Sequence, residues 1–162
     1  EELIEADAPM QDVLPSIYYA NIDKYKGYHI RQLCQEMHDF YKDRQVSTLQ
    51  ERLFLHDYFP EYVLNPQDAN FEFQRGKGEL VPLDEAEGRI ALEGALPYPP
   101  GVLCVQPGER WSKTACDYFL ALQEGINKLP GFAPEIQGVY ITPQPDGTKK
   151  AYGYVLKKEF EK

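Results

Sequence analysis

The clearest periodicity lies at residues 28–41, where Ile30, Leu33, Cys34, Met37, Phe40 and Tyr41 recur at helical spacing. That pattern puts them on one face of an amphipathic helix. A second helix is expected at about 48–58, with Leu49, Leu53 and either Phe54 or Leu55 turned inward and Pro60 closing it. Ser47 and Gln50 stand at capping-box spacing. So short a link predicts a helical hairpin. A third, longer helix is expected after Ser112, a fair N-cap. Ala115, Phe119, Leu122, Ile126 and Leu129 line one face of it, widened by Cys116 and Leu120. Lys128 suits its C-terminus, and Leu129-Pro130-Gly131 ends it.

Strand signals are shorter. Residues 138–142 and 151–156 flank the turn Pro145-Asp146-Gly147 and predict an antiparallel hairpin. Another short strand is expected at 79–83. Phe71 and Phe73 alternate with polar residues, which predicts a short strand or an anchored loop after the turn at Asn65-Pro66. Residues 16–20 read as a short strand or a strap laid on a neighbour, and the six charged-rich terminal residues are expected to fray. Helix and strand signals mix without a βαβ rhythm. The expected class is α+β: a mixed or antiparallel sheet, a helical hairpin and one further long helix. Residues 1–25 form a strap in this reading, and 26–162 a single α+β domain.

The stretch 88–111 organises the rest. Residues 88–92 read as a short apolar strand behind a glycine. Pro97, Pro99 and Pro100 fix φ and remove three backbone donors, so 96–100 should be extended and rigid, with Gly101 turning the chain out of it. The run Val102, Leu103, Cys104, Val105 does not alternate, as in a strand buried on both faces. Gln106-Pro107-Gly108-Glu109 is a turn signal. Such a loop either presents groups at a site or simply turns the chain.

Composition narrows the function classes. A chain of 162 residues suits one domain and can bury roughly two-thirds of its unfolded surface. The net charge is −9, with five acids and no base in the first twelve residues. That balance argues against binding a phosphate backbone, and it would concentrate small cations. Twelve tyrosines suggest half-wet interfaces. Three widely spaced cysteines, Cys34, Cys104 and Cys116, point to buried free thiols in a reducing, cytoplasmic compartment. No apolar run approaches the ~20 residues of a membrane span. The chain opens at Glu1 rather than Met and is expected to be a fragment.

No complete catalytic constellation is visible. There is no P-loop, no Gly-x-Ser-x-Gly elbow and no Cys-x-x-Cys pair. Cys34 and His38 share a helix face, but two ligands do not make a metal site. His29 and His56 lie near helix ends and lack an orienting partner. Glu85, Glu87, Glu93 and Glu109 flank the central stretch, either as solvated turn acids or as paired carboxylates able to act as acid and base or to bind an amine. Tyr98, inside the stiff loop, is the most interesting single side chain: a fixed hydroxyl or a packing residue.

Gly88-Arg89-Ile90, Pro97-Tyr98-Pro99-Pro100-Gly101 and Pro107-Gly108-Glu109, in that order and spacing, resemble the C-terminal domain of the bacterial ornithine/lysine/arginine decarboxylases. The likeness continues through Pro130-Gly131-Phe132 and Gly138 and covers most of 25–156. Trp111-Ser112-Lys113 and the run from Ala133 to Tyr140 look most like the ornithine branch. The resemblance implies a large enzyme dependent on pyridoxal phosphate (PLP), converting ornithine to putrescine and CO2. It also implies that the cofactor is bound outside this fragment: the family's cofactor lysine follows a histidine, and no His-Lys occurs here. No catalytic, cofactor or metal residue is therefore assigned. Tyr98, Pro99, Pro100 and Gly101 are the substrate-channel candidates. The expected partners are the remaining domains of the same chain, a second subunit and a small amino acid, with no nucleic acid and no membrane. The alternative is a non-catalytic module whose proline loop docks a protein partner.

Overall fold

The computed structural model describes residues 2–98 and 101–161, leaving aside the side chain of Leu3. Four short helices come first: α1 (Glu2–Glu5), α2 (Met10–Val13), α3 (Pro15–Ala20) and α4 (Ile22–Tyr25). They pack on α5 (Ile30–Asp43), burying Met10, Tyr18 and Tyr25 against Ile30 and Leu33. Backbone bonds from Met10 to Tyr28 and from Ile30 to Ala8, both 2.9 Å, stitch the two parts together. The 16–20 segment is helical, correcting the strand expectation. Pro15 occupies the first helical turn, where its fixed φ is favourable. Tyr18 then turns inward while Tyr19 stays outside.

After a two-residue link, α6 (Val46–Arg52) packs on α5 and on the long helix α8 (Lys113–Lys128). It begins earlier and ends sooner than expected. Gln45 precedes it in the left-handed region (φ 51°), Ser47 lies inside the helix, and no capping box forms. Val46 and Leu53, both buried, set its limits. A short 3-10 turn (His56–Tyr58) follows. Phe71 and Phe73 then belong to α7 (Pro66–Gln74), a second correction. Asn65 caps this helix by accepting from the Asp68 amide at 2.9 Å, and Pro66 opens it. Ala69 and Phe73, one turn apart, face inward, and Phe73 meets Tyr154 edge-on at 4.9 Å.

The sheet has order β1-β5-β4, all antiparallel, from β1 (Gly78–Pro82), β4 (Val139–Pro143) and β5 (Lys149–Leu156). A separate ribbon pairs β2 (Leu96–Tyr98) with β3 (Glu135–Gln137). Helix α8 lies on the sheet, and Trp111, Phe119, Leu83 and Val155 fill the space between at 0–1% exposure. Ser112 caps α8, accepting from the Ala115 amide at 3.1 Å. The chain end is held too. Residues Lys158–Phe160 form a 3-10 turn, and Glu161 pairs with Arg89 at 3.1 Å and Arg110 at 3.4 Å. The tail expected to fray is thus paired, within the described residues, with two arginines.

Candidate functional site

Residues 88–98 thread the junction between sheet and ribbon. The Trp111 and Ala91 amides donate to Arg89 and Glu109 at 2.9 and 2.8 Å. On the other side, Leu92 donates to Tyr154 at 3.0 Å and Leu156 to Ile90 at 2.8 Å. β1 already holds one edge of β5 there, so 90–92 occupy the edge that β4, paired only with residues 149–153, leaves free. The stretch then passes Gly138, which links β3 to β4 at φ +73°, and enters the ribbon as β2. These contacts are bridges rather than the regular strand expected at 88–92.

Tyr98 ends β2 opposite Glu135 and is about half exposed. Gly101 donates its amide to the Pro97 carbonyl at 3.1 Å and closes the loop. It sits at φ +79°, and a β-carbon there would lie 3.1 Å from the Tyr98 ring. Gly101 thus both turns the chain and backs the tyrosine. Pro99 and Pro100, the other two loop candidates, lie outside the described residues. The chain then returns. The Cys104 amide donates to the Ala95 carbonyl and the Ala95 amide to the Val105 carbonyl, both at 2.9 Å, and Leu103 lies over Gly94. The run 102–105 is not a strand buried on both faces: Val102 and Leu103 are exposed, and only Ala95 and Val105 bridge. The reversal at Gly101 faces the first half of the run to solvent.

Of the four flanking acids, only Glu93 adjoins this loop. Tyr140 Oη donates to Glu93 Oε2 at 2.5 Å. That bond, with some burial, pushes the Tyr140 phenol up to about 12. Glu109 is spent on the turn, accepting from the Gln106 amide at 2.7 Å. Glu85 ends a 3-10 turn, and Glu87 lies near Cys116 and Lys113. The pair Glu93–Tyr140 is 47 positions apart, and no local spacing in the sequence announces it.

The remaining candidates are not brought together. Cys34 is half-buried in the helical strap cluster, and His38 is exposed. His29 Nδ1 meets the Asp7 carbonyl at 2.6 Å, holding α5 to the first helices. His56 stands in solvent beside Asp57. Among the described residues no three His, Cys, Asp or Glu side chains converge as metal ligands. Nor, among the described residues, is any helix long and apolar enough to cross a membrane. Clefts of about 690 and 520 Å³ lie elsewhere, the first beside Phe40 and Lys128, the second beside Phe71 and Ile90.

The fold is that of a mixed α+β domain with a tyrosine-bearing turn at the end of β2. Residues 47–157 match the family model "Orn/Lys/Arg decarboxylase, C-terminal domain", and the chain belongs to that family. Within it, the chain is similar to the ornithine decarboxylase of Haemophilus influenzae, 65% identical over 96% of this chain and 22% of that protein. It is also 58% identical to the inducible ornithine decarboxylase of Escherichia coli, over 97% of this chain and 21% of that protein. Among solved structures, lysine decarboxylase A from Pseudomonas aeruginosa superposes with a TM-score of 0.86 at 31% identity, over 96% of this chain and 21% of that one. The chain therefore spans about a fifth of the length of the relatives it matches.

Proposed function

We propose that this chain serves as the C-terminal domain of an ornithine decarboxylase, in which the loop at Tyr98 to Gly101 lines the approach to an active site held elsewhere. The observation that carries the substrate is the gap in similarity: 65% identity to an ornithine decarboxylase against 31% to a lysine decarboxylase over the same share of the chain. The reaction would release CO2 from L-ornithine and leave putrescine. PLP, when bound in such an enzyme, supplies the electron sink for decarboxylation. The residues described here do not suit that cofactor. A Schiff-base lysine needs a desolvated setting or a neighbouring cation. No described lysine is buried, and Lys24 and Lys113 each stand beside a carboxylate, Glu36 and Asp117, that favours the charged ammonium. In this reading the cofactor belongs to the remaining domains.

What this chain would contribute is shape and charge. The net charge of −9 favours the encounter with a dicationic amino acid. Gly101 and Pro97 hold Tyr98 in place, so its ring borders the approach without rearranging. The partners in this reading are the other domains of the same polypeptide and a second subunit. Three free thiols, with burial pushing Cys104 to about 11 and Cys116 to about 12, suit a reducing cytoplasm. The test is CO2 release by the full-length protein with PLP, from ornithine, lysine and arginine in parallel. Ornithine should be preferred by at least about tenfold in kcat/KM. Equal or better use of lysine or arginine would overturn the assignment.

A further inference from the structure

We infer that the ledge formed by residues 54–62 is the seat on which the rest of this chain's own longer polypeptide docks; this rests on the decarboxylase reading above. Phe54, Leu55, Tyr58, Phe59 and Tyr62 fall within nine residues, and each is 38–59% exposed. Large apolar side chains exposed so densely along one short segment mark an interaction surface.

The ledge is held at both ends. Leu53 is buried in the main core just before it. At the far end Tyr62 bridges Glu109, and the Val63 and Leu64 amides both donate to the Gly108 carbonyl at 3.0 Å. The Arg110 amide donates to Glu61 at 2.9 Å. Between these anchors Arg52 stacks over the Tyr58 ring at 5.4 Å, and His56 leans on Phe59 at 5.9 Å. Aromatic side chains fixed in this way, rimmed by charge, are the ingredients of an interface centre.

The occupant follows from length and charge. The chain spans only 22% of its Haemophilus influenzae relative, so most of such a polypeptide is available to cover the ledge. A second copy of this domain fits less well. Each copy carries −9, and that net charge opposes self-association. Docking here would also brace the turn at 106–109, which closes the stretch carrying Tyr98. The ledge would thus couple the position of the loop to the domains that hold the chemistry.

The experiment uses the full-length protein with Phe59→p-benzoylphenylalanine, a photo-cross-linker, and hydroxyl-radical footprinting of the unmodified protein alongside. The expected cross-link keeps the mass of a single chain and joins position 59 to a peptide outside residues 1–162. The five side chains should also be oxidised at least about fivefold more slowly than exposed residues such as Tyr19. Cross-links at twice the chain mass, or oxidation of the ledge at the rate of Tyr19, would overturn the inference. Ornithine decarboxylation is assayed in the same preparation. An active enzyme with an oxidised ledge refutes the docking alone, whereas an inactive unmodified protein strikes at the decarboxylase reading.

Discussion

Gly138 has no room for a methyl group. A β-carbon there would lie 1.9 Å from the Gly94 carbonyl oxygen, and its φ of +73° already disfavours any other residue. This one position bends the strand so that β3 meets β2 while β4 meets β5. Gly138→Ala should therefore destabilise the protein by about 2–4 kcal/mol, since backbone must move to relieve the clash. Urea unfolding measures it, and a loss below about 0.5 kcal/mol would show that the junction is not tight. The Glu93–Tyr140 bond makes a second residue-scale prediction. The folded phenol titrates at about 12 against an ordinary 10.0. A raised pKa contributes stability that is complete below pH 10 and is lost as the pH climbs toward 12. Glu93→Gln should bring Tyr140 back toward 10 in an NMR titration of ring-labelled tyrosine, and an unmoved midpoint would refute the hydrogen bond as the cause. The extended backbone leading into Tyr98 was legible in the sequence because prolines fix their neighbours locally. Glu93–Tyr140 was not, because its partners meet only through the fold.

At the scale of elements, α5, α8 and the β4–β5 hairpin were all legible, because a strong period or a turn signal marked each one. The two helices misread as strands or loops, α3 and α7, are short and open on proline. Their apolar residues are too few to show a period, and the decisive signals were Pro15 and the Asn65-Pro66 cap. Helix α8 shows how much one cap matters, since its amphipathic face is already buried. Ser112→Ala should cost about 1 kcal/mol, read as a lower urea midpoint at unchanged slope. A change in slope would mean that more than the cap was lost. The run 102–105 failed as a strand for a different reason. Apolar content does not say which side of a turn the chain will occupy, and Gly101 turns Val102 and Leu103 outward.

At the scale of the molecule, Arg89 ties distant parts together. Its guanidinium meets Glu79 at 2.8 Å, Glu161 at 3.1 Å and the Leu156 carbonyl at 2.7 Å. Burial pulls the guanidinium down, but the two carboxylates hold its pKa above the usual value. Glu161→Gln should lower stability by about 1–3 kcal/mol, because charge-assisted bonds in a half-buried setting are lost. Hydrogen exchange should speed up in 157–161, and unchanged protection there would mean that the clamp is not what orders the tail. The sheet, the ionic clamp and the ribbon all converge on residues 88–111, and in the proposed function the loop they carry borders an active site in the remaining domains. The most direct test is steady-state decarboxylation of ornithine by the full-length protein carrying Tyr98→Ala. KM for ornithine should rise about threefold or more with kcat close to that of the unaltered enzyme, the mark of lost binding rather than lost chemistry. Unchanged kcat and KM would contradict it.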